Sequence, residues 1–243
     1  MIDFHSHILP NIDDGSRSME ESINLIREAT EAGFAGIIST SHYLQDYYEC
    51  DEQERRKLLE DIDDEASKLS NNIGMQMPKL YLGSEIYITT DMINLLEEKK
   101  ASTINNTKYV LFELPMNSRP LFVKDVVYKL IEDGYRPIIA HPERYSYVKE
   151  DIGFVKELKD MGALFQSNYG SIIGMYGNSA KKTVKKLLKE NLISFLGSDV
   201  HKTGQIYPKI PKILKKLNRW IPSDMVQNLT TFNAQKVLEN QEI

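Results

Sequence analysis

Pro137-Ile138-Ile139-Ala140-His141-Pro142-Glu143-Arg144-Tyr145 is a short apolar run that breaks off into an imidazole, an acid and a guanidinium. A run this short and this apolar reads as a buried strand with its polar groups gathered at the C-terminal end. The same grammar recurs along the chain. Met1–Phe4 runs into His5-Ser6-His7, Gly36–Thr40 into His42, and Lys79–Leu82 into Glu85. Tyr109–Glu113 ends in its own acid, and Ile193–Gly197 runs into Asp199-Val200-His201. Ala163–Ser167, sixth in chain order, completes the seven candidate strands.

Stretches of helical periodicity separate these runs. Ser18–Ala32 opens with a Ser N-cap and Glu21 at N3, and carries Ile23, Ile26 and Ala29 on one face. Glu52–Leu69 is highly charged with one apolar stripe, Leu58, Leu59, Ile62 and Ala66. Further helices are expected over Thr90–Glu98, Phe122–Asp133, Ile152–Met161, Ser179–Glu190 and Ser223–Glu239. Repeated strand–helix alternation implies parallel strands with right-handed crossovers. Seven units in 243 residues suit a closed or nearly closed α/β barrel, with functional groups at the C-terminal strand ends. No linker divides the chain, so residues 1–243 read as one domain. Tyr43–Asn72, a long charged insert between the second and third strands, is expected to be an excursion that shapes the rim of the site.

The formal charge of -5 argues against a general nucleic-acid partner. One cysteine excludes an intrachain disulfide. There is no basic n-region with a following apolar stretch, and no apolar run approaches the roughly 18 residues that span a bilayer. The expectation is a cytoplasmic protein with no membrane insertion.

All five histidines follow candidate strands, and Asp14, Glu85, Glu113 and Asp199 occupy equivalent places. Residues two apart on a strand point to the same side, so His5 and His7 can meet one ion, and Asp199-x-His201 repeats the spacing. Imidazole mixed with carboxylate suits divalent transition ions. Taken singly, Glu113 reads as an exposed strand-end acid and His42 as a core imidazole. Nine such groups at one end of one sheet point instead to a shared cause: His5, His7, Asp14, His42, Glu85, Glu113, His141, Asp199 and His201 as ligands of two or three ions. Spacing alone does not separate Asp13 from Asp14; one of them is expected to orient a metal-bound histidine.

Arg144 stands beside these ligands, and a guanidinium grips phosphate oxygens in a two-pronged fork. Its bland alternative is an ion pair with Glu143 or Glu113. Arg17 reads as a surface residue at a helix entry. Cys50 and Arg56 frame a loop without glycine that carries Asp51, Glu52 and Glu54. Those acids raise a thiol pKa and repel phosphate, so Cys50 is not expected to be a nucleophile. Lys181-Lys182-Thr183-Val184-Lys185-Lys186 reads as a solvated helix face with Val184, Leu187 and Leu188 turned inward.

The motifs His5-Ser-His-Ile-Leu-Pro10, Asp13-Asp-Gly15, Ser39-Thr-Ser-His42, Gly83-Ser-Glu85, Leu111-Phe-Glu113, Ala140-His-Pro-Glu-Arg-Tyr145 and Gly197-Ser-Asp-Val-His201 resemble the PHP (polymerase and histidinol phosphatase) superfamily. Within it, the chain is most similar to the CpsB/CapC-type bacterial protein-tyrosine phosphatases of capsule and exopolysaccharide synthesis. The likeness runs from residue 1 to about residue 201. It implies a PHP-type fold, a distorted seven-stranded (β/α)7 barrel with a manganese-preferring trinuclear centre, iron or zinc being the alternatives. It implies the same nine ligands, Arg144 as a phosphate contact, and the phosphotyrosine-containing tail of a bacterial tyrosine kinase as partner. Such proteins carry a second Arg after the last Asp-x-His. Here the stretch reads Lys202 to Lys209 without one, which leaves Lys202, or else Lys209, to act as a point charge.

The expected activity is hydrolysis of phosphotyrosine by a metal-activated hydroxide, without a phosphoenzyme. The alternatives are a small-molecule phosphatase of the histidinol-phosphate kind and a noncatalytic metal-dependent binding module.

Overall fold

The computed structural model describes residues 1–74 and 76–243. Its strands are β1 (Ile2–Ser6), β2 (Gly36–Ser39), β3 (His42–Tyr43), β4 (Lys79–Leu82), β5 (Glu85–Tyr87), β6 (Tyr109–Glu113), β7 (Arg136–Ala140), β8 (Leu164–Asn168) and β9 (Phe195–Gly197). All of their pairings are parallel. The helices are α1 (Met19–Glu31), α2 (Glu52–Ile73), α3 (Met92–Glu97), α4 (Val123–Glu132), α5 (Ser146–Glu150), α6 (Gly153–Asp160), α7 (Tyr169–Ile173), α8 (Gly177–Lys189), α9 (Ile210–Leu217), α10 (Ser223–Gln227) and α11 (Asn233–Leu238). The α/β class therefore stands.

Hydrogen bonding divides the strands into a three-stranded sheet, β1-β2-β4, and a six-stranded sheet, β3-β5-β6-β7-β8-β9, rather than one seven-stranded ring. The expected second and third strands form as β2 and β4, and each is followed by a short strand that was not expected, β3 and β5. Thr40-Ser41 separates β2 from β3, and Gly83-Ser84 separates β4 from β5. Among the described residues β3 pairs only with β5. β1 contributes to this parting: it carries one more residue than β2 between Asp3↔Ile37 and Ser6↔Ser39, a bulge that bends it away. At its far end Asp199 N donates to His5 O, and His7 N donates to Val200 O.

The bulge also re-aims side chains. Ile2 and Phe4 join an apolar cluster with Ile38, Leu111, Ile138 and Phe195, and the Phe4 and Phe195 rings stack at 3.9 Å. Ala234 and Val237 of α11 close this cluster at the end of the sheet opposite the histidines. Strict alternation would then turn His5 and His7 away from the cluster's side. The extra residue restores them to it, above Phe4.

On α1, Ser18 caps as expected, accepting from Glu21 N, but the Glu21 carboxylate reaches Arg17 N, one residue earlier than in a standard capping box. Its buried stripe is Ser22, Leu25, Ile26 and Ala29, with Ile23 only half-buried. The expected helix Ser223–Glu239 is interrupted by a wider π turn over Asn228–Phe232, where Thr230 Oγ1 donates back to Val226 O. Helices α5, α7 and α9 were not expected. No helix among the described residues is long and apolar enough to cross a membrane.

Candidate metal centre

Period-two alternation places three donors directly. Ile38–Thr40–His42, Tyr81–Gly83–Glu85 and Tyr109–Leu111–Glu113 each climb one side of a strand from the apolar cluster to a polar group. His141 follows Ala140, which already faces the cluster, and joins the donors through a left-handed backbone at φ 33. Asp199 is also left-handed, at φ 52. Neither residue is Gly, and such backbone strain concentrates at functional sites.

The donors meet at the C-terminal strand ends. Glu85 Oε2 lies 3.1 Å from His5 Nε2, 3.4 Å from His7 Nε2 and 3.2 Å from His42 Nδ1. Its other oxygen is 2.9 Å from His141 Nε2. Glu113 stands 3.4 Å from His42 and 3.8 Å from His141. Asp14 is 3.2 Å from His201 Nε2 and 3.6 Å from His42 Nε2. Three sets, His7–Asp14–His42–His201, His5–His7–Asp199 and His42–Glu85–Glu113, each bring their donor atoms within 4.8 Å of one another. All nine sequence candidates thus come together.

The protons on the rings test whether this set fits a cation. His7 Nδ1 sits 2.8 Å from Asp13, a pure acceptor, and His201 Nδ1 sits 3.0 Å from Asp199 O. Both Nδ1 atoms therefore carry hydrogen. His5 Nδ1 faces Gln166 Oε1 at 2.9 Å; Gln166 Nε2 donates to Asn168 Oδ1, and Asn168 Nδ2 donates to Asp199. The carboxylate at the end of this chain fixes its polarity, so His5 Nδ1 is a donor too. The Nε2 atoms of His5 and His7 then face each other at 3.0 Å. Neutral rings would oppose two lone pairs there, and imidazoliums, which burial opposes but the neighbouring carboxylates favour, would oppose two N–H groups. Either arrangement repels unless one electrophile is shared between the two nitrogens. The set fits metal ions, and nine N and O donors exceed what one ion takes.

Charge makes the same case. Burial and the neighbouring Glu85 and Asp199 carboxylates push the Glu113 pKa up to about 9. Burial also opposes ionisation of Glu85 and Asp199, yet the histidines outweigh it and hold both well below the usual carboxylate range. A carboxyl forced to keep its proton beside two ionised ones marks a place short of positive charge.

Comparison with known proteins agrees with this chemistry. Residues 1–239 match the family described as "Capsular polysaccharide synthesis, CpsB/CapC". The chain belongs to the CpsB/CapC family. It is 32% identical over 248 residues to tyrosine-protein phosphatase CpsB of Streptococcus agalactiae, covering 100% of both chains. It is 32% identical over 245 residues to tyrosine-protein phosphatase YwqE of Bacillus subtilis, covering 100% of this chain and 93% of the other. Its fold superposes, with a TM-score of 0.91 and 31% identity over 100% of this chain and 96% of the other, on a chain from the crystal structures of YwqE from Bacillus subtilis and CpsB from Streptococcus pneumoniae. Those two proteins are described as unique metal-dependent tyrosine phosphatases. The family match extends past residue 201, where the motifs end, and takes in α9, α10 and α11.

In this CpsB/CapC member, Arg144 pairs with neither Glu143 nor Glu113. Its Nη1 donates to Asp199 Oδ2 at 2.8 Å, and its guanidinium lies 4.5 Å from the centre of the Tyr176 ring. Glu143 is buried and accepts from Ser167 Oγ, Ser171 Oγ and Asn168 N. Lys202 is exposed and makes no contact with the donors, and Lys209 Nζ donates to Gln205 O. The structure does not bring either lysine to the cluster. Asp13 orients His7, while Asp14 faces the donors.

Sequence reading missed the sixth strand's part altogether. Gln166 and Asn168 on β8 are fully buried and tie His5 to Asp199. The available signal was the abrupt polarity of Gln166-Ser167-Asn168 ending a buried strand.

Proposed function

We propose that this chain is a metal-dependent tyrosine-protein phosphatase of capsular polysaccharide synthesis, acting on the phosphotyrosine tail of a bacterial tyrosine kinase in the cytoplasm. The convergence of five histidines and four carboxylates beside Arg144 carries the reading, and the names of the relatives supply the substrate class. We assign His5, His7, Asp14, His42, Glu85, Glu113, His141, Asp199 and His201 as ligands of two or three ions, with manganese the preferred metal. Bound divalent ions supply Lewis acidity toward phosphate oxygens and lower the pKa of water.

The chain's own residues do the rest. Arg144 remains charged at every working pH; Asp199 holds its Nη1, and the guanidinium N–H groups left over are available to hold equatorial phosphate oxygens. Asp13, Gln166 and the Asp199 carbonyl keep the Nδ1 protons on His7, His5 and His201, so that Nε2 is the donor atom in each. Tyr48, stacked 5.9 Å from His42, and Tyr176 offer aromatic walls to a substrate ring. A phenolate of pKa about 10 leaves without full protonation, so no dedicated acid is assigned. Lys202 would need to swing inward to serve as the second cation.

We read the whole chain as one domain whose two sheets form a distorted seven-stranded barrel. In this reading β2 with β3, and β4 with β5, are single interrupted strands. The Asp199–His5 and Val200–His7 backbone bonds join the last strand to the first.

The test is phosphate release from a phosphotyrosyl peptide by metal-loaded protein. Release should stop with chelator and return with manganese in preference to zinc. Turnover of histidinol phosphate but not the peptide would replace the substrate class. Tight peptide binding without release would replace the enzyme with a binding module.

A further inference from the structure

Residues 177–219 hold eleven basic residues against two acidic ones, Glu190 and Asp199, a local balance of +9 in a chain of formal charge -5. Both acids are engaged elsewhere, Glu190 with Lys156 and Asp199 with Arg144 and Asn168. Among the described residues none of Lys181, Lys182, Lys185, Lys212 and Lys216 forms an ion pair with a carboxylate. Val184, Leu187 and Leu188 are buried as expected, but the lysines do not simply fan out into water. Lys181, Lys185 and Lys216 are half-buried, and Lys185 Nζ and Lys216 Nζ lie 5.3 Å and 5.1 Å from the centre of the Trp220 ring.

These residues, with Asn178 and Lys182, line a cleft of about 380 Å³ between α8 and α9. Burial and the neighbouring Lys181, Lys212 and Lys185 push the Lys216 pKa down to about 8. Ammonium groups crowded around one indole without a counterion are mutually repulsive. An anion that carries a flat ring relieves the repulsion and covers the indole face.

The cleft opens close to the metal centre. α8 begins directly after Tyr176, which packs on Arg144 and whose hydroxyl is 3.4 Å from Asp199 Oδ2. At about 1.5 Å per helical residue, Lys181 and Lys185 lie roughly 7 and 13 Å along the helix from that tyrosine. An extended peptide covers this range in about two to four residues, at about 3.3 Å each.

We propose that the α8–α9 cleft docks a second phosphotyrosine of the same substrate peptide, about two to four residues from the one being hydrolysed, its phosphate between Lys181 and Lys216 and its ring against Trp220. This rests on the tyrosine phosphatase reading. The cleft's size suits one side chain. The acidic remainder of the chain disfavours a long nucleic acid or an anionic membrane as the occupant.

The test compares metal-loaded protein on singly and doubly phosphorylated peptides of one sequence, the two sites four residues apart. The doubly phosphorylated peptide should show a KM about tenfold lower or better, as expected for two contacts on one chain. The difference should shrink with added salt. Lys181→Glu with Lys216→Glu should erase it while hydrolysis of p-nitrophenyl phosphate stays unchanged, which also shows that the variant folds. Trp220→Ala is the second variant and should erase part of it. Equal KM for both peptides in the unaltered protein overturns the docking site alone. No turnover of either peptide overturns it together with the phosphatase reading. Cleft-dependent binding of RNA or anionic vesicles without a preference between peptides also overturns it.

Discussion

Arg144 and Asp199 share one carboxylate between two tasks. Arg144 Nη1 takes Oδ2 at 2.8 Å, with Asn168 Nδ2 on the same oxygen, while Oδ1 faces His7, His5 and His201 at 3.4, 3.6 and 3.7 Å. The bidentate fork that would hold phosphate is thereby positioned by a residue that also faces the metal donors. Replacing Arg144 with Lys keeps the charge and loses the fork. We expect kcat/KM on a phosphotyrosyl peptide to fall by about 10² or more, with metal content by elemental analysis unchanged. Loss of the metal would show that Arg144 supports the ligands instead.

Gln166 and Asp13 fix which nitrogen of His5 and His7 carries hydrogen. Gln166→Leu and Asp13→Asn should each weaken metal binding by about 10- to 100-fold. Competition titration against a chelating dye reads this, and saturating metal should restore most of the turnover.

Removing the metal should abolish hydrolysis and lower the melting temperature. Binding to the native state alone at 100 times Kd adds about 2.7 kcal/mol. For a chain of this size that corresponds to roughly 5 to 10 °C. Scanning calorimetry with and without chelator tests it; an unchanged melting temperature would place the nine donors outside any tight site.

Cys50 is half-buried, and burial together with nearby acids outweighs Arg55 and pushes its thiol up to about 11. A raised thiol pKa means less thiolate at neutral pH. Alkylation at pH 7 should therefore be slow and should rise about tenfold per pH unit until near 11. Cys50→Ser should leave hydrolysis intact. Loss of activity in that variant would contradict a metal mechanism.

Gly197 is irreplaceable for space. A Cβ there would stand 2.5 Å from His5 Cβ and 2.9 Å from His5 N. Gly197→Ala should cost about 1–3 kcal/mol of stability, read by urea unfolding, and should weaken metal binding by displacing His5. A variant of normal stability and metal affinity would show that the strands can part there freely.

Much of this site was legible because strand alternation is simple. His42, Glu85 and Glu113 follow from counting in twos above Ile38, Tyr81 and Leu111. The strand boundaries were close as well, within about two residues, since buried parallel strands announce themselves as apolar runs. His5, His7 and His141 depend on a bulge and a left-handed residue, neither of which has a compositional signature. Gln166 and Asn168 were hidden because neutral amides make poor metal ligands, so β8 carries no donor signature of its own. The short strands β3 and β5, beyond Thr40-Ser41 and Gly83-Ser84, depend on where neighbouring strands part, which no local pattern records. The Trp220 cleft needs two helices in register, and one helix face read alone looks like ordinary solvated charge.

The extra residue in β1 sets the phase of the first strand. Below it, the even-numbered side chains Ile2 and Phe4 supply the apolar floor; above it, the odd-numbered His5 and His7 supply nitrogen. A strand with unbroken rhythm could furnish one set or the other to the same interior, never both in succession. The catalytic end of this molecule is thus written in a different frame from its foundation, and a single-residue deletion at that step would leave the wall standing with its donors facing outward.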